Sequence, residues 1–139
     1  MDSGGGDFYA LSEDQLKRLL AGELDHAQFL AAGGSEQPRE RFAQANAVWY
    51  ELSQVLQAEA ACGKEQTTAI PAMAGYSYAA QVQATAGELA QLAEPELRTR
   101  CAGALMEASV DQVLEAIQAL TGFYARAAGN KDAILFRVM

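Results

Sequence analysis

The chain has 139 residues, half of them hydrophobic, with 18 Asp+Glu against 10 Lys+Arg and a net charge of −8. That length and apolar content suit one domain that folds without disulfide or metal, and they exclude general disorder. No run approaches the ~18 apolar residues of a membrane span, and the acidic balance opposes phosphate backbones, so membrane and nucleic-acid partners are both disfavoured.

The first residues, Met1 to Gly6, carry neither a basic stretch nor an apolar core. They read as a flexible leader of a cytoplasmic, bacterial-type protein and not as a secretory signal. Phe8-Tyr9-Ala10-Leu11 is a short apolar run and predicts a strand. Ser12-Glu13-Asp14-Gln15 has the form of a capping box, with Leu16, Leu19 and Leu20 following at helical spacing and Gly22 as the stop. A second short helix is expected behind Asp25, with His26 in its first turn. Ala32 to Ser35 reads as a loop.

Pro38 suits the first turn of the next helix. Phe42, Ala45, Val48, Trp49, Leu52, Val55 and Leu56 recur at intervals that give one apolar stripe, with Trp49 in the core. Arg41, Gln44, Glu51, Gln54 and Glu59 fall outside the stripe, and Gly63 ends the helix. Lys64 to Tyr78 reads as an irregular loop of a length that goes with either function or mobility. Ala79 to Ala84 is expected as a short central strand, and Thr85-Ala86-Gly87-Glu88 as a second capping box that opens a helix through Leu89 and Leu92. Pro95 sits in the first turn of the next helix, between Glu94 and Glu96. Ser109-Val110-Asp111-Gln112 is a third box, launching Val113, Leu114, Ile117, Leu120 and Tyr124 until Gly129-Asn130. Ile134 to Met139 predicts a closing strand with Ile134, Phe136 and Val138 on one face. The elements together describe a single compact α+β domain over residues 1–139, mostly helical, with a small sheet of N-terminal, central and C-terminal strands.

In order along the chain, four pieces resemble the YfbM-like family, a domain of unknown function. They are Phe8 to Leu16, Val48 to Leu56, Gly75-Tyr76 with the weak strand and Thr-capped helix behind it, and Phe123 to Ala128 with the turn and final strand. Family members carry a His just after the helix Trp and another three residues on, whereas Tyr50 and Ser53 hold those positions here. The glycine-rich segment before Gly75 is also shorter. The resemblance therefore implies the fold and supplies no reaction.

Rare residues restrict the chemistry further. His26 is the one histidine, and Cys62 and Cys101 form no CxxC pair, so no preassembled metal or nucleophile–base set exists. Lys64 near Cys62 is weak evidence for an activated thiol. The acid pairs Glu13-Asp14, Glu23 with Asp25, and Glu94 with Glu96 are explained by capping and solvation, and the glycine clusters lack a phosphate-loop frame. No catalytic residue, cofactor or metal is expected. The expected function is a non-catalytic protein-binding module of the immunity or antitoxin type, occluding a toxin with a basic or substrate-binding face. Its binding residues would be Tyr50 and Glu51 on the polar side of the Trp helix, and Tyr76 and Tyr78 on the loop. The alternatives are a small-ligand-binding protein or enzyme using the Gly75-Tyr76 loop, and a housekeeping domain with a metabolic partner.

Overall fold

The computed structural model describes residues 6–25, 29, 38–42, 48–59, 61–67, 73–104 and 108–138. Its strands are β1 (Gly6–Leu11), β2 (Glu40–Phe42), β3 (Glu65–Thr67), β4 (Met73–Ser77) and β5 (Ala133–Val138). Its helices are α1 (Glu13–Leu20), α2 (Trp49–Val55), α3 (Ala79–Gln91), α4 (Glu94–Ala102) and α5 (Val110–Gly129). The strands form one antiparallel sheet in the order β2-β1-β5-β4-β3. The α+β architecture and the strands near both ends of the sequence are as expected. No helix among the described residues is long and apolar enough to cross a membrane.

The period-two alternation of β1 and β5 divides the core. Phe8 and Ala10 with Ile134 and Phe136 face α2 to α5, where Leu52, Val82, Ile117, Leu120 and Phe123 complete a large cluster. Tyr9 and Leu11 with Ala133 and Leu135 face the opposite way, against Leu16 and Leu19 of α1 and Phe29. The sheet is thus covered on both faces, which explains why β1 is an unbroken buried run. Two of the expected capping boxes, at Ser12/Gln15 and Ser109/Gln112, are formed in full. Glu13 also accepts a hydrogen bond from the Ala79 N–H at 2.9 Å, so the start of α1 supplies an acceptor to the start of α3.

Several local expectations are corrected. Pro38 does not open a helix: Glu40–Phe42 pairs with β1 through Phe8↔Phe42, Tyr9↔Arg41 and Ala10↔Glu40. Phe42 reaches the core from a strand as readily as from a helix, ring to ring with Phe8 and Phe123, so its spacing to Trp49 mimicked a helical period. Helix α2 ends at Val55, well before Gly63, and the Arg100 guanidinium takes the Val55 carbonyl at 3.1 Å. Lys64 to Tyr78 is not an irregular loop but carries the β3–β4 pair, with β4 held on its other side by β5. Ala79 to Ala84 is the first half of α3, as alanine's helix preference favours. Thr85 consequently lies mid-helix, fully buried, its hydroxyl donating to the Glu59 carbonyl at 3.5 Å. The Gln81 side chain instead accepts from the Tyr78 N–H at 2.8 Å at the helix start. Gly6, assigned to the leader, is the first residue of β1. The remaining leader, His26 and the Ala32 to Ser35 loop lie outside the described residues.

At the end of α5 the Lys131 N–H bonds the Ala128 carbonyl at 3.1 Å and the Asp132 N–H bonds that of Ala127 at 2.9 Å. This is the Schellman arrangement, and it places Lys131, not Gly129 or Asn130, in the left-handed region at φ 58°. A lysine there bears a steric cost that glycine avoids. Lys131→Gly is expected to stabilise the protein by about 0.5–1 kcal/mol. A denaturant titration checks this through a higher midpoint at unchanged slope.

Candidate functional site

Helix α2 is fixed from its inner side. Glu51, expected on the polar face, is 5% exposed. Its carboxylate accepts the Ala108 N–H at 3.1 Å, just ahead of α5. Beyond the helix, buried Glu59 receives a two-point bond from Arg100 at 2.7 and 3.1 Å, and Arg100 also meets Glu96 at 2.8 Å. Such a planar, forked pair holds both position and orientation. The guanidinium is held above its ordinary pKa, chiefly by the Glu59 hydrogen bond.

With α2 anchored in this way, its other side faces outward. Trp49 is half-buried at the margin of the core and not inside it. Its ring lies 6.3 Å from Phe136 and 5.8 Å from Tyr50, nearly perpendicular to the latter at 83°. Tyr50 is 50% exposed, the large apolar side chain left open among the described residues. Ser53 donates to the Tyr50 carbonyl at 2.6 Å.

Opposite α2 the chain makes a close backbone crossing. Gly63 has φ +116°, and a Cβ on Gly75 would stand 2.5 Å from the Cys62 carbonyl. Glycine at both positions lets the 62–63 turn lie on β4. Lys64 N–H donates to the buried Ser77 hydroxyl at 3.1 Å and continues that contact. Between this turn, β3, β5 and α2 lies a cavity of about 480 Å³. Trp49, Tyr50, Leu56 and Phe136 give it apolar walls, and Ser53, Gln57 and Gln66 supply neutral polar groups. A volume of this order, apolar with a few hydrogen-bonding groups, has the character of a binding site.

The thiol on the wall is not an activated nucleophile. Burial pushes Cys62 up from 9.0 to about 12, and the nearby Lys64 ammonium is shared with Glu88 at 3.8 Å. Behind it the fully buried Tyr124 hydroxyl donates to the Ala61 carbonyl, and burial raises this phenol too. Among the described residues no three His, Cys, Asp or Glu side chains gather where a metal could bind.

The four residues singled out from sequence therefore separate. Tyr50 belongs to the cavity, while Glu51 points away from it into the protein. Tyr76 and Tyr78 stay together, rings 5.3 Å apart, but half-buried on the other face of the sheet against the α1 cluster. Burial, and then the Tyr78 hydrogen bond, raise the Tyr76 phenol. Gln66, Gly75, Cys62 and Phe136 complete the cavity without having been expected there. Gly63 and Gly75, twelve residues apart and flanking the polar Glu65-Gln66-Thr67 triplet, were the available signal of a hairpin with a close crossing.

No protein-family model and no curated protein matches the sequence. Among solved structures, the chain matches the crystal structure of YfbM from Escherichia coli, a protein of unknown function, with a TM-score of 0.69. The match covers 97% of this chain and 99% of that one. The fold is that of YfbM. At 16% identity the likeness to YfbM concerns the path of the chain and carries no activity. It agrees with the family resemblance seen in the four sequence pieces.

Two outcomes follow from the geometry of the cavity. Gly75→Ala should cost about 2 kcal/mol or more, because the added methyl meets backbone and not a movable side chain, and urea unfolding measures it. Cys62 in the folded protein should react with iodoacetamide at pH 8 at least about 100-fold more slowly than in urea, where its thiol returns to an ordinary pKa. Because the folded value lies above the unfolded one, the folded chain retains the proton between them. Stability contributed by the neutral, partly buried thiol is thus lost as pH rises from 9.0 toward about 12.

Proposed function

We propose that the protein is a non-catalytic protein-binding module of the immunity or antitoxin kind, which silences a protein partner by seating it on the Trp49–Tyr50 cavity. The observation that carries this reading is Tyr50 itself: an aromatic ring half in solvent at the mouth of an apolar cavity. Tyr is among the residues that dominate interface energetics, because it covers area at low entropic cost. The described cavity lining offers hydrogen-bond donors and acceptors together with a protonated thiol, a composition suited to recognition more than to proton transfer. The net charge of −8 favours encounter with a basic partner and predicts weakening by salt. In this reading Tyr50 is the anchor of the binding surface, and Glu51 positions the helix that carries it.

The test is capture of a partner from an extract of the protein's own host, followed by titration of purified components. Tyr50→Ala should weaken the complex at least about tenfold, or 1.4 kcal/mol, with folding unchanged because the ring is half exposed. A partner that binds wild type and Tyr50→Ala equally would overturn this assignment. A small molecule that co-purifies at stoichiometry and is lost with Tyr50→Ala would replace the reading with a ligand-binding one, for which the cavity volume is adequate.

A further inference from the structure

Tyr50 and the Tyr76–Tyr78 pair lie on opposite faces of the sheet, and the element between them is β3, the outermost on that side of the described strands. Its register is Glu65↔Tyr76, Gln66↔Gly75 and Thr67↔Ala74. Side chains alternate across a strand. Gln66 accordingly shares the Gly75 face and lines the cavity beside Trp49 and Tyr50. Glu65 shares the Tyr76 face. Both Glu65 and Gln66 are exposed. The Glu65 carboxylate meets the Gln81 amide at 3.4 Å, and among the described residues no Lys or Arg pairs with it.

We propose that β3 is the docking edge for an extended segment of the protein partner, which adds to the sheet as a further strand. One uncharged apolar or aromatic side chain of that segment enters the Trp49–Tyr50 cavity. The next, a basic one, turns to the opposite face toward Glu65 and the Tyr76–Tyr78 rings. This rests on the protein-binding reading above and specifies the form and chemistry of the partner.

Three observations support it. An extended backbone sends successive side chains to opposite sides, so a strand laid along one edge reaches both aromatic sites at once, whereas a helix presents one face. The described cavity walls are apolar or neutral, so the entering side chain carries no charge. On the other face, an exposed carboxylate without a cation, on a chain of net charge −8, complements Lys or Arg. β3 is short, with Glu65 and Gln66 its exposed residues, which limits the backbone bonds it can offer. Occupation of the cavity therefore contributes most of the affinity, and the edge fixes the register.

The probe is a capped six-residue peptide alternating phenylalanine and lysine. It is compared with a block-ordered peptide of the same composition and with two versions N-methylated on alternate residues, one in each register. Trp49, the single tryptophan, reports through its fluorescence, and the Gln66 backbone amide through its NMR shift. The parent peptide should perturb both signals. One N-methyl register should weaken binding at least tenfold while the other leaves it unchanged, since alternate N–H groups face the sheet. Glu65→Gln should weaken the parent several-fold, and Tyr50→Ala at least tenfold. Equal binding of the parent and both N-methylated forms, or of the block-ordered peptide, overturns strand addition. So does failure of every peptide when the host partner still depends on Tyr50, an outcome that leaves the protein-binding reading standing. If neither the peptides nor any host partner depends on Tyr50, both proposals fall.

Discussion

The pairing of β1 with β5 is the constraint on which everything else is arranged. Six consecutive residue pairs, from Gly6↔Val138 to Leu11↔Ala133, place the first and last strands side by side at the centre of the sheet. Both strands are apolar on both faces, so each face requires its own cover. The short α1 and its surroundings close one side, and α2 to α5 close the other. The hairpin of β3 and β4 then extends the sheet from β5, and the outward flank of α2 is left beside that extension. The cavity is the gap between an element fixed by the helical layer and one fixed by the sheet.

That origin explains how its walls are held. Glu51 and the Arg100–Glu59 pair act on α2 and the turn behind it from the inside, while Gly63 and Gly75 bring backbone against backbone on the far wall. Groups held in this way would lose little further freedom on contact with a partner of the kind proposed, which favours affinity per unit of buried area. The buried acids are thus structural in effect even though the protein as a whole is acidic. The charges available for steering are those left at the surface.

Legibility from the sequence followed the physics of each segment. The Ser12 and Ser109 boxes, the Pro95 helix start and the two central strands were readable because their signals are local: a cap, a missing N–H, an apolar run with no helical gap. The β3–β4 hairpin was not, because what makes β4 a strand is β5, far away along the chain, and Glu65 to Thr67 is too short and polar to declare itself. The strand expected at Ala79 to Ala84 failed where a weak pattern was set against alanine's own preference for helix. Tyr50 was legible as a ring at the edge of the apolar stripe or outside it, because it lies about 100° round the helix from Trp49. Glu51 was misread for a definite reason: spacing assigns a face to a residue, and cannot register that a backbone N–H from residue 108 waits there to satisfy a carboxylate. The Tyr76–Tyr78 pair was recognised as a pair, but the face it occupies depends on register, which only the strand partner defines.

The central pairing also has a bearing on how the chain reaches its native state. Tyr9 and Arg137, whose side chains bond across β1 and β5, are 128 residues apart in sequence. During synthesis the apolar β1 therefore emerges long before the strand that covers its edge, and the sheet cannot close until β5 has followed. Until then its Phe8-Tyr9-Ala10-Leu11 run is an uncompleted strand edge, open to pairing with other chains. High sequence separation of this kind slows folding, since a large loop must close before any contact rewards it. The element directly ahead of β5 is α5, long and capped at both ends, whose hydrogen bonds are local and need no such loop to close.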